Sequence, residues 1–106
     1  MKIGTQITLV AILAATTMTT AFAQGTGAEN YKAKCAMCHG ADGLATSPMA
    51  MKMKIVSFKA PAMLKASDAQ FIAATKNGKG TMKGYDGKLT DAQIKDVVSY
   101  IRTLQK

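Results

Sequence analysis

The sequence predicts an all-α domain: three main helices joined by long loops. Two stretches, Ser67-Asp68-Ala69-Gln70 and Thr90-Asp91-Ala92-Gln93, have the form of a capping box, in which a hydroxyl and an amide satisfy orphan donors at a helix start. Behind the second box, Ile94, Val97, Val98, Ile101 and Leu104 recur at helical spacing and mark one buried face. Gly-rich or irregular segments separate these helices from each other and from an earlier one.

Taken in order, the chain opens on what reads as a leader. Met1-Lys2 is a short positive start, Ile7 to Ala15 is almost wholly apolar, and Ala21-Phe22-Ala23 has the small-x-small form of a cleavage site. The apolar run, followed by Thr16-Thr17 and Thr19-Thr20, falls short of the roughly 20 residues that span a bilayer. The expectation is a signal peptide over residues 1–23, cut after Ala23, with export to the periplasm; a retained anchor is the rival. One domain then occupies residues 24–106.

The first helix is expected from about Gly27 to Met37. Gly40 to Ala66 follows, with Pro48 and Pro61 and no helical period. Met49, Met51 and Met53 alternate there and could pass for a short strand. Loops longer than about 15 residues are uncommon in compact domains, but one can wrap around something large. The second helix opens at Ser67 and stops at Asn77-Gly78, where Gly78 suits a left-handed cap. Gly78 to Gly84 reads as a flexible turn, and the third helix runs from Thr90 to about Leu104.

A chain of 106 residues less a leader has a marginal core, since domains of this size bury only about 60% of their unfolded surface. Three Phe, three Tyr and no Trp deepen the shortage. Small exported domains commonly add a metal, a disulfide or another staple. The net charge is +8, and Arg102 is the only arginine. Nucleic-acid readers favour arginine for bidentate contacts, so the lysine bias points away from that class. It suits transient docking to acidic proteins or to membrane redox complexes, and it equally suits plain solubility.

Cys35-Ala36-Met37-Cys38-His39 contains both cysteines and the single histidine of the chain. C-x-x-C-H is the attachment pattern of a c-type haem. Thiols at i and i+3 of a helical turn face one side and can add to both vinyl groups, and the adjacent imidazole comes up under the iron. A thioredoxin-like dithiol would need a preceding strand in a βαβ setting. A structural zinc wants four ligands where three are present, and a disulfide here would close too short a loop to stabilise much. With His39 in the fifth position the sixth cannot be a second histidine. Methionine is the usual alternative in electron transfer, and seven remain besides Met1. Met82 sits among Gly78, Gly80 and Gly84, which let a backbone pass close to a flat group.

On C-A-M-C-H-G at 35–40, N-G-K-G-x-M at 77–82 and G-K-L-T-D-A-Q-I-K-x-V-V-x-Y-I-R-x-L at 87–104, the chain from Gly27 to Leu104 resembles the class I cytochromes c. It is similar in particular to small bacterial members of the c6 and c553 kind. The resemblance implies a three-helix fold around one haem c, attached through Cys35 and Cys38, with His39 the proximal and Met82 the distal iron ligand. It places Gly27 and Tyr31 against Val97 and Tyr100 where the first helix crosses the last. It also implies that Pro48 offers a carbonyl to the N–H of His39, and that Pro48 and Tyr85 pack the haem. Two departures stand out. Lys83 follows Met82 where many relatives have proline, and the Met49/Met51/Met53 cluster is unusual. Alternating thioethers can bind Cu(I), although methionine more often fills gaps against apolar surface.

The expected function is a soluble, monomeric periplasmic electron carrier, not an enzyme, passing one electron at a time to redox proteins with acidic docking surfaces. Lys34, Lys52, Lys79, Lys83 and Lys88 flank the segments expected to form the haem edge. Two rivals remain: a haem sensor or peroxidase-like enzyme with open iron, and a cytochrome subunit of a membrane redox complex. A peroxidase would want distal acid–base groups, and no second histidine exists to supply them.

Overall fold

A computed structural model describes residues 25–106 and, ahead of them, positions 4, 11, 12 and 14 alone. The leader over residues 1–23 and its cut after Ala23 lie outside this description. Among the described residues no helix is long and apolar enough to cross a membrane. The elements in order are α1 (Gly27–Lys34), α2 (Ala36–His39), α3 (Pro48–Lys52), α4 (Pro61–Lys65), α5 (Asp68–Asn77), β1 (Gly78–Lys79), β2 (Met82–Lys83) and α6 (Asp91–Leu104).

Both expected capping boxes form. Ser67 and Thr90 accept from the N–H of Gln70 and Gln93, whose amides reach back to the cap nitrogens. A third box, Thr26 with Glu29, starts α1; its T-x-x-E signal stands in the sequence unused by the reading above. Three paired start signals therefore set where α1, α5 and α6 begin.

The central crossing is α1 on α6. Tyr31, Ile94 and Val97 are its most deeply buried side chains, and Tyr31 meets Tyr100 with ring centroids 5.2 Å apart. A Cβ on Gly27 would lie 2.2 Å from the carbonyl oxygen of Asp96, so the two backbones touch where only glycine fits. The crossing expected from Gly27, Tyr31, Val97 and Tyr100 is present. Phe58, Phe71, Val98 and Ile101 extend this core.

Four local expectations change. The first helix ends at Cys35 (φ −117°, ψ −35°), which caps it, and α2 resumes after it. The 40–66 segment is not helix-free. Ser47 accepts from the N–H of Ala50 with Pro48 at the first helical position, making α3 of what could pass for a strand, and Pro61 opens α4 behind Ala60 without a side-chain cap. Proline is favoured there because its missing N–H is an orphan in any case. Gly78 has positive φ (81°) but an extended ψ (167°), so it leaves α5 straight into β1 rather than as a left-handed cap. The turn from Gly78 to Gly84 is a two-stranded antiparallel ribbon, with Gly78 opposite Lys83 and Lys79 opposite Met82.

Candidate haem site

Cys35 is the hinge of the site. Its N–H donates to the Tyr31 carbonyl at 2.8 Å, and its own carbonyl accepts from Cys38 and His39 at 3.2 and 3.0 Å. That single turn puts both sulfurs on one side, the arrangement that i and i+3 spacing promises. Both thiols are free. Burial, and next the neighbouring Cys38, push the Cys35 thiol up to about 11. Beyond the motif the chain is pinned twice: the Tyr31 hydroxyl donates to the Gly40 carbonyl at 2.7 Å, and Ala45 N–H donates to the His39 carbonyl at 3.0 Å.

Burial lowers the pKa of His39, which favours the neutral imidazole that can ligate a metal. Its ring lies against Phe58, centroids 4.6 Å apart and planes within 18°. The Nδ1 atom is buried with no hydrogen-bond partner. The bond expected from Pro48 is therefore not made. Pro48 is the first residue of α3.

Met82 enters on β2. At the base of this ribbon a Cβ on Gly78 would fall 2.6 Å from the Met82 carbonyl oxygen, so glycine is needed to let the strands close. Tyr85 fastens the exit: its N–H donates to the Thr75 carbonyl at 2.9 Å and its hydroxyl to the Lys34 carbonyl at 2.8 Å. Burial, then the two cysteines, raise the Tyr85 pKa, so its hydroxyl stays a donor.

Cys35, Cys38, His39, Met82 and Tyr85 all line one cavity of about 900 Å³, within the roughly 300–1,000 Å³ of cofactor and ligand sites. Pro48 does not line it. The remaining wall is mainly apolar and includes Phe58, Phe71, Met53 and Met63. Of the lysines expected at the edge, Lys34, Lys79 and Lys83 border the cavity, joined by Lys54 and Lys65. Lys52 and Lys88 are exposed elsewhere.

The donor set fits a c-type haem on these observations: two free thiols one turn apart, a neutral imidazole, a thioether, and an apolar space of cofactor size. The sequence reading missed Phe58 and Arg102. Phe58 offered no signal beyond the scarcity of phenylalanine. Arg102 stacks 4.5 Å from the Phe71 ring, pairs with Asp68 at 2.8 Å and donates to the Ala66 carbonyl at 2.6 Å, so it ties α6 to the start of α5.

A family model described as subunit III of the cbb3-type cytochrome c oxidases matches residues 23–101. Cytochrome c6 of Picosynechococcus sp. is 31% identical over 104 residues, covering 84% of this chain and 87% of its own. Cytochrome c6 of Limnospira maxima is 32% identical over 81 residues, covering 71% and 85% respectively. Among solved structures, the c-type cytochrome KustC0563 superposes with a TM-score of 0.70 at 27% identity, covering 77% of this chain and all of that one.

Proposed function

This chain belongs to the class I c-type cytochromes, of the c6 kind, and we propose that it is a soluble periplasmic carrier whose haem iron is held by His39 and Met82. It carries covalently bound haem c and transfers electrons to redox partners; it is not an enzyme. The haem supplies the one-electron change, and the protein supplies attachment, ligands and an apolar wall.

The convergence of Cys35, Cys38, His39 and Met82 on one cavity supports this reading most strongly. Cys35 and Cys38 hold the macrocycle through thioethers, and His39 offers its imidazole from the same turn. Met53 and Met63 also line the cavity, from the segment that carries Phe58. Met82 arrives on a separate ribbon fastened by Tyr85 to Thr75 and Lys34, which favours it for the opposite face. A thioether there raises the potential and closes the iron.

The test is Met82→Ala in the holoprotein. The expected result is high-spin character, a lower reduction potential and carbon monoxide binding, none of which Met63→Leu produces. A Met82→Ala protein with unchanged spectrum and potential overturns the ligand assignment. The lysines around the cavity support docking to acidic partners. Electron-transfer rates should then fall steeply with salt, because screening shortens to about 8 Å at physiological ionic strength; flat rates would mean that the charge only solubilises.

A second reading, a cytochrome subunit of a membrane redox complex, is favoured by the description of the matching family model. The native mass separates the two: a carrier runs as a monomer free of membranes, a subunit with its complex.

A further inference from the structure

The ribbon that carries Met82 is made of two strands of two residues each. A two-stranded ribbon is marginal in water by itself, and Gly78, Gly80 and Gly84 leave this one few side chains to pack. It also belongs to a different part of the fold from the attachment turn. Cys35, Cys38 and His39 follow directly on α1, whereas the ribbon follows on α5, and both helices pack on α6. His39 and Met82 nevertheless line one cavity, so something must keep these two parts at a fixed spacing.

We propose that Tyr85 is a positioning residue for Met82, its hydroxyl latching the ribbon to the attachment turn and so limiting how often the thioether leaves the iron. The inference rests on the haem reading above. The hydroxyl donates to the Lys34 carbonyl at 2.8 Å, across 51 positions, and Lys34 is the last residue of α1, next to Cys35. Tyr85 is fixed at its other polar groups as well. Its N–H donates to the Thr75 carbonyl at 2.9 Å, and its own carbonyl accepts from Lys88 and Leu89 at 3.0 and 2.9 Å. Between Met82 and Tyr85 the chain has little slack. A Cβ on Gly84 would lie 2.6 Å from the Lys76 carbonyl oxygen, so the backbone there rests on the end of α5. A side chain tied to α1, a backbone tied to α5 and a short, seated link to Met82 hold the thioether at a set distance from the cysteines. The latch itself is exposed, so water competes for it, and each break frees the ribbon for the kind of local opening that needs no global unfolding.

Imidazole added to the oxidised holoprotein reads the proposal directly. It takes the iron when Met82 leaves, and at saturating imidazole the rate of the spectral change is the rate of that departure. Tyr85→Phe keeps the ring and the backbone bonds of the residue and removes the latch alone. Its limiting rate should rise roughly three- to tenfold, the range that one lost hydrogen bond spans. Val98→Ala removes core volume from a residue that does not line the cavity; it should lower the melting temperature and leave the limiting rate unchanged. An unchanged rate in Tyr85→Phe, or an equal rise in Val98→Ala, overturns the proposal. Failure of Tyr85→Phe to form holoprotein overturns it too, because a latch is dispensable for folding. Failure of the underlying reading looks different: an unmutated protein whose imidazole rate climbs with concentration and never saturates has open iron, which defeats the assignment of Met82 itself.

Discussion

The α1–α6 crossing and the cavity wall are built from similar residue types and end in opposite conditions. At the crossing Ile94 and Tyr31 are each 1% exposed, backbones touch at Gly27, and the Tyr31 hydroxyl has its acceptor. Around the cavity Val56 is 52% and Met53 41% exposed, and a buried imidazole nitrogen is unpaired. The crossing is completed by the chain alone. Part of the wall, Val56 and Met53 included, is apolar surface that the chain itself leaves uncovered, which is what a domain too small for a full core looks like when a prosthetic group supplies the missing interior.

That contrast breaks first if the haem cannot be attached. Cys35→Ala with Cys38→Ala should give little folded protein, read as loss of most of the far-ultraviolet helical signal; a fully helical, cooperative apoprotein would mean that the crossing suffices. Gly27→Ala tests the other side. Alanine normally gains about 0.5–1 kcal/mol over glycine in a helix, yet here its Cβ meets backbone at 2.2 Å. The expected loss is about 3 kcal/mol by denaturant midpoint, in line with overpacking. A gain would show that the helices can part cheaply.

Smaller effects sharpen the comparison. Arg102→Met keeps the apolar stem over Phe71 but removes the hydrogen bonds to Asp68 and the Ala66 carbonyl. It should cost about 1–2 kcal/mol, since Arg102 is partly buried and the Ala66 carbonyl loses its donor. Met53→Leu should do least, below about 1.5 kcal/mol, with the visible spectrum unchanged. A large effect there would mean that Met53 holds something more specific than apolar surface.

The sequence by itself determined the features that act over three or four residues. Capping boxes place the starts of α5 and α6 because a hydroxyl and an amide three positions apart satisfy each other's backbone. The i, i+3 thiols of Cys35 and Cys38, with His39 adjacent, point to one side for the same local reason, and Ile94, Val97, Val98 and Ile101 mark the face that α6 buries. Ser47-Pro48 is also a local start signal, but the missing helical period between Gly40 and Ala66 hid α3 and α4. Tertiary structure decided the rest. The stacking of Phe58 on His39 depends on partners as distant as Gly43 and Gln105, and the grip of Arg102 on Ala66 and Asp68 spans more than thirty positions. A hydrogen bond across a helical turn is written in spacing, whereas the plane of a ring is set by whatever the folded chain brings against it.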